Sequence, residues 1–222
     1  MNQNALLGRY TTSALANEVL RKTYLLLSAT LLLSAGTAWY AMATQAPVMN
    51  PWLMLILYFG LLFATNALRN SPLGVAAVFA LTGFLGYTIG PIVSFYIHAL
   101  PNGRELVFYA LGTTGSVFLV LSAYAVTTRK NFSYMGGFLA TGMIIAFVGS
   151  IANLFLHIPL LMLITSSMFV LVMSGWILYQ TSAIINGGET NYITATVSLY
   201  VALYNMFLSL LEIFGVLGGR RN

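Results

Sequence analysis

"INGGETNYITATVSLYVALYNMFLSLLEIFG", residues Ile185–Gly215, is mostly apolar and long enough for a membrane-crossing helix, yet it carries Asn191, Thr194, Ser198, Asn205, Ser209 and Glu212. At 100° per residue, Thr194, Ser198, Asn205, Ser209 and Glu212 project within an arc of roughly 60°, with Asn191 at its edge. Polar groups in hydrocarbon seek partners inside the protein, so a stripe this narrow is expected to face inward. The segment then reads as a central helix with other helices around it. Whether it lies in lipid at all depends on the rest of the chain.

Composition answers that. Of 222 residues, 59% are hydrophobic and 6% charged, with a mean hydropathy of +0.87. A water-soluble domain carries about 25% charged residues, so this chain has too few to cover a solvated surface. It reads as a polytopic membrane protein embedded in the lipid bilayer. The net charge of +5 comes from nine Lys and Arg against four Glu, with no Asp. These basic residues sit at the ends of apolar runs, which is the pattern of membrane orientation rather than of nucleic-acid binding. The absence of Cys excludes disulfides, thiolate metal sites and Cys nucleophiles.

Seven apolar runs are long enough to span, at residues 24–44, 52–68, 73–98, 105–127, 133–156, 159–185 and 191–217. The separators "QAPVMNP", "RNSP", "LPNGR", "TTRKN", "LHIP" and "NGGET" are short and hold Pro, Gly or Asn, residues that stop helices and turn the chain. A β-barrel would need alternating strands of about 10 residues, and runs such as "YLLLSATLLLSAGTAWYAMA" do not alternate. The fold class is therefore all-α membrane: seven transmembrane helices, six around the polar-striped seventh. Residues 1–22 form an N-terminal tail and 23–222 a single transmembrane domain. The first run follows a polar leader of 23 residues and exceeds the 7–15 residues typical of a signal-peptide core, so it reads as a retained span.

With the N-terminus inside, the inner side holds Arg9, Arg21, Lys22, Arg69, Arg129 and Lys130, while the outer loops hold Arg104 beside Glu105. This bias satisfies the positive-inside rule. Seven spans then place the C-terminus outside with Arg220 and Arg221, against the rule. Either the short tail is tolerated or the seventh segment crosses incompletely.

Other motifs are weaker. Gly83, Gly86 and Gly90 in "TGFLGYTIGPIV" and Gly142 and Gly149 in the fifth span lie at helical spacing. They are expected to pack helices within one bundle, with a dimer interface as the alternative. Pro91 removes a backbone donor and is expected to kink its helix. His98 and His157 fall at helix ends, where interfacial water reaches an imidazole; pH sensing is the alternative. Ser174 precedes Gly175 within a span, but a nucleophile needs a base within hydrogen-bond reach, and His157 is 17 residues earlier, roughly 25 Å along a helix. Without paired carboxylates, HExxH or a phosphate-binding loop, no catalytic, cofactor or metal site is expected. Glu212 is a carboxylate within an apolar run, near the outer end of its helix where water could solvate it. It fits either interhelical hydrogen bonding or a hydrated ion path.

"TGFLGYTIGPI", "SAYAVTTRK" and "IINGGETNYITATVSLYVALYN" together resemble the Bax inhibitor-1 family. The similarity covers essentially the whole chain and is strongest to the proteobacterial branch that modulates the membrane AAA protease FtsH. The resemblance implies six helices around a central seventh, a cytoplasmic N-terminus and a periplasmic C-terminus in the bacterial inner membrane. It also implies two functions. Calcium-leak members carry a buried aspartate pair, and the flanking motifs "LYQTS" and "LYVALYN" place those positions at Gln180 and Ala202. Neither side chain ionises, whereas sharing a proton or gripping a divalent ion needs two nearby carboxylates. The second function is non-enzymatic: binding of FtsH and slow degradation by it from the cytoplasmic tail. The weakly charged residues 1–20, expected to be disordered or marginally helical, fit such a handle. Protease modulation is the preferred reading; an ion (calcium) leak channel and a membrane assembly scaffold are the alternatives.

The charge distribution predicts that alkaline phosphatase fused after Asn222 is active and a fusion within "TTRKN" inactive. The reverse pattern would overturn the orientation.

Overall fold

The computed structural model describes the backbone from Gln3 to Gly218 and side chains from Leu15 to Gly218. The expectations placed on Arg9, Arg220 and Arg221 therefore lie outside the described residues. The elements are α1 (Gln3–Ala43), α2 (Pro51–Leu68), α3 (Leu73–Ala99), α4 (Gly103–Thr128), a 3₁₀ turn (Ser133–Met135), α5 (Gly136–Leu156), α6 (Pro159–Ile185) and α7 (Tyr192–Gly218). Each of the seven helices contains a stretch long and apolar enough to cross a membrane. No strand occurs among the described residues. The N-terminal tail continues into the first span without a break, since α1 is one helix of 41 residues.

Local chemistry sets the ends. Asn50 caps α2, its side-chain oxygen accepting from the Trp52 and Leu53 amides, and Pro51 occupies the first turn, where its missing N–H costs nothing. The Asn153 side chain accepts from the Ile158 amide at 2.9 Å just before α6 begins. Arg129 and His157 close α4 and α5 in the left-handed conformation, with φ near 50°, where Gly is the usual residue. α3 continues through Pro91, whose ring nitrogen leaves one carbonyl of the preceding turn without its helical donor.

The chain forms two compact units. The first comprises residues 1–92 and 180–200, the second 93–179 and 201–222, so α3, α6 and α7 each contribute to both. α3 and α7 are the most buried helices, and α2 and α5 the least. Five of the twelve largest fully buried side chains belong to α7, namely Ile193, Leu199, Tyr200, Met206 and Leu211. The inward role of the seventh helix is thus visible in packing, with α3 an equal contributor.

In the first unit, Gly86 and Gly90 let α3 lie directly on α1. A Cβ at Gly86 would stand 2.6 Å from the Ser34 Cα, and one at Gly90 would stand 2.6 Å from the Ala38 carbonyl oxygen. Gly83 is looser, its nearest neighbour being Leu33 at 3.4 Å. Gly86 and Gly90 thus bring α3 against the α1 backbone within the chain. At the same place Tyr200 of α7 donates its hydroxyl to the Thr82 carbonyl of α3 at 3.1 Å and pairs with the Ser34 hydroxyl of α1 at 2.6 Å. Thr196 adds a bond to the Thr23 carbonyl at 3.3 Å. Three helices are joined by one buried phenol.

The second unit uses small residues differently. A Cβ on Gly142 would meet Val172 at 2.9 Å, one on Gly149 would meet Thr165 at 2.7 Å, and one on Gly175 would meet Leu139 at 2.6 Å. α5 therefore lies along α6 through alternating glycine and side chain. Gly103 starts α4 against the Tyr96–Ile97 backbone, and Gly215 of α7 packs on the Tyr96 ring.

These contacts predict that Gly86→Leu lowers the temperature at which the detergent-solubilised protein loses its fold, since overpacking costs about 1–3 kcal/mol. Gly36→Leu is the control, because a Cβ there meets nothing within 4 Å, and should be neutral. Equal effects would refute the close α1–α3 contact. A double-mutant cycle of Tyr200→Phe with Ser34→Ala should return a coupling of about 0.6–1.7 kcal/mol, the range of interhelical hydrogen bonds in membranes. Simple additivity would mean that the hydroxyl pair does not hold α1 to α7.

Candidate functional site

The stripe of α7 begins at its cap. The Asn191 side-chain oxygen accepts from the amides of Ile193 at 2.9 Å and Thr194 at 3.2 Å. Its amide group donates to the Arg69 carbonyl at 3.1 Å and the Asn70 side chain at 2.9 Å. Glu189 accepts from the Asn191 backbone amide at 2.7 Å. Asn191 therefore starts α7 and clasps the α2–α3 loop to it.

Further along the first unit, Ser198 donates to the Gln180 side-chain oxygen of α6 at 3.2 Å. The Gln180 amide nitrogen and the hydroxyls of Thr23, Thr181 and Thr194 are buried with no hydrogen-bond partner. Thr23, Gln180 and Thr181 are at most 5% exposed. This is a concentration of unsatisfied polar atoms in a place where each is costly. Thr194 and Ser198 also line a groove of about 380 Å³ between α2 and α7, walled by Phe59, Leu62 and Phe63.

The remaining stripe residues belong to the second unit. Asn205 returns its amide to the Val201 carbonyl of its own helix at 2.8 Å. Ser209 is buried. Glu212 accepts a 2.5 Å hydrogen bond from the Ser166 hydroxyl of α6. None of the six stripe residues is exposed, and only Ser209 is fully buried. The most deeply packed faces of α7 carry Ala195, Thr196, Leu199, Tyr200, Ala202 and Met206 instead. The stripe is thus the less tightly sealed side of a well-buried helix.

Gln180 and Ala202 are both buried, 5% and 0% exposed. An amide offers one donor group and one acceptor but no exchangeable charge, and a methyl offers neither. Among the described residues no three His, Cys, Asp or Glu side chains gather as a metal site would require. His98 and His157 sit exposed at helix ends, their Nδ1 atoms near the Ser94 and Phe155 carbonyls. Ser174 donates to the Val170 carbonyl of its own helix at 2.7 Å, the usual resting place of a hydroxyl within a span.

Sequence reasoning missed Thr23, Thr181, Thr196 and Tyr200, which lie off the stripe. A threonine can satisfy itself on its own helix, so nothing in its position along the chain marks it as reaching another. The Ser166–Glu212 bond was equally invisible, since 46 residues separate the partners.

A family model described as "Inhibitor of apoptosis-promoting Bax1" matches residues 16–220. The chain is 49% identical over 199 residues, 90% of each chain, to the Escherichia coli K12 protein named "Modulator of FtsH protease YccA". It has the same identity and coverage to the protein of a second Escherichia coli strain named "Inner membrane protein YccA". It is also 49% identical over 201 residues, again 90% of each chain, to a Pseudomonas aeruginosa protein. With seven apolar helices and a match along nearly its whole length, the chain belongs to the Bax inhibitor-1 family.

Proposed function

We propose that this protein is a non-enzymatic component of the bacterial inner membrane that binds and modulates an FtsH-type membrane AAA protease. The observation that carries the proposal is its 49% identity, along 90% of both chains, to the relative named a modulator of FtsH protease. In this reading the N-terminus is cytoplasmic, the C-terminus periplasmic, and the seven-helix body of residues 23–222 is the part that occupies the protease.

The length of α1 supports a handle. Its 41 residues extend about 60 Å at 1.5 Å per residue, twice the roughly 30 Å of hydrocarbon in a bilayer. The apolar run begins near Tyr24, so the preceding turns stand outside the lipid, where a protease that pulls on a terminus could engage them. Gln180 and Ala202 weigh against acid-gated calcium release, because no carboxylate occupies either position.

Deleting most of residues 1–20 leaves Arg21 and Lys22 to hold orientation. The shortened protein should be degraded more slowly while still binding. Supplied at the same abundance as the full chain, it should lengthen the half-life of a second membrane substrate of FtsH. Unchanged half-lives for both proteins, with no protease recovered in a pulldown from mild detergent, would reject protease modulation.

A further inference from the structure

We infer that the groove between α2 and α7 is a binding site for one anionic phospholipid, with an acyl chain between the helices and the headgroup phosphate at Arg69. The wall is largely carbon: Phe59, Leu62 and Phe63 of α2 face Ile193 and Val197 of α7. Of its polar residues, Thr65 and Ser198 are occupied and the Thr194 hydroxyl is buried without a partner. Thr65 donates to the Leu61 carbonyl at 2.7 Å, and Ser198 to Gln180. Phe59 and Phe63 are 40% and 73% exposed, so the groove opens to the surroundings of the helices, which in a membrane are acyl chains.

Shape and chemistry suit a flexible chain: from Phe59 to Asn66 the groove runs about 10 Å along α2, and its lining is mostly apolar. An unfilled groove would forfeit the dispersion contacts of its lining, so lipid entry is favourable without any polar bond.

Charge selects the headgroup. Asn66 lines the groove where it ends, and its side-chain oxygen accepts from the Arg69 guanidinium at 3.3 Å. Arg69 is exposed and meets no carboxylate among the described residues. The neighbouring charges are otherwise engaged: Lys22 pairs with Glu18 at 2.6 Å and lies over the Tyr192 ring, and Glu189 holds the Asn191 amide. Arg69 is about one turn beyond the last lining residue of α2, so a phosphate held at its guanidinium would leave the acyl chain to enter the groove. A guanidinium offers that phosphate a planar pair of donors.

The test uses the full chain in phosphatidylethanolamine vesicles with a small fraction of phosphatidylglycerol carrying a photoreactive group in its acyl chain. After irradiation, adducts mapped by mass spectrometry should concentrate on the peptides bearing Phe59–Phe63 and Val197, several-fold above those on the equally lipid-facing Phe138–Val148 of α5. Val197→Trp, or Leu62→Trp should the first variant fold poorly, fills the groove and should abolish that excess. Arg69→Gln should weaken the phosphatidylglycerol signal about fivefold, as expected for one basic side chain at an anionic surface. It should leave a phosphatidylethanolamine probe unchanged. Uniform labelling of α2, α5 and α7, or an excess that the tryptophan variants leave intact, would overturn the site. Equal labelling by the two headgroups in the unaltered chain would overturn the role of Arg69. A photoreactive residue placed at Val197 that crosslinks to protein in place of lipid would replace the lipid with a partner helix.

Discussion

A polar atom in hydrocarbon must find its partner within the protein, and lipid gives two apolar helices no reason to prefer each other. That pair of constraints explains most of this structure. Backbone polarity is absorbed by seven long helices, and many span hydroxyls turn back onto their own helix, as Thr30, Thr88, Thr114 and Ser174 do. Association between helices then rests on close approach and on the few polar groups that reach across. Gly86 and Gly90 supply the approach between α1 and α3. Tyr200 supplies the reach, joining α7 to both.

Burial is distributed accordingly. α3 and α7, which carry the close contacts and the crossing hydrogen bonds, are packed on much of their surface, whereas α2 and α5 present mostly apolar side chains outward. In a soluble protein such helices would be aggregation sites; in a bilayer they form the lipid boundary. α5 is held chiefly by glycines meeting α6 side chains. α2 is held to α7 at one end by the Asn191 clasp and leaves a groove below it.

Against this economy, the region around Gln180 stands out. Its amide nitrogen and the hydroxyls of Thr23, Thr181 and Thr194 lack partners in the first unit, although each could have been apolar at lower cost. The protein thus keeps polar capacity at Gln180 without a charge there. In the second unit the polar character of α7 is resolved differently, with Glu212 bound to Ser166 and Asn205 bound to its own helix. A stripe that is uniform along the sequence therefore has different chemistry in each unit.

The sequence by itself determined the seven helices, the membrane environment and most helix limits to within a few residues, the start of α1 being the exception, at Gln3 rather than near Tyr24. These are local properties: a run of apolar residues cannot end before its hydrophobicity does, and Asn50–Pro51, Asn153 and Asn191 mark starts by bonding amides two to five residues away. Helical periodicity also revealed the stripe from Asn191 to Glu212. What only the tertiary structure decided was the partner of each group. Tyr200 with Ser34 and Thr82, Ser198 with Gln180 and Ser166 with Glu212 are separated by between 18 and 166 residues. The unpaired hydroxyls and the groove beside Arg69 belong to the same category. Periodicity assigns a residue to a face of its helix, but the identity of the atoms opposite depends on how other helices pack there, and that is not encoded at any one position along the chain.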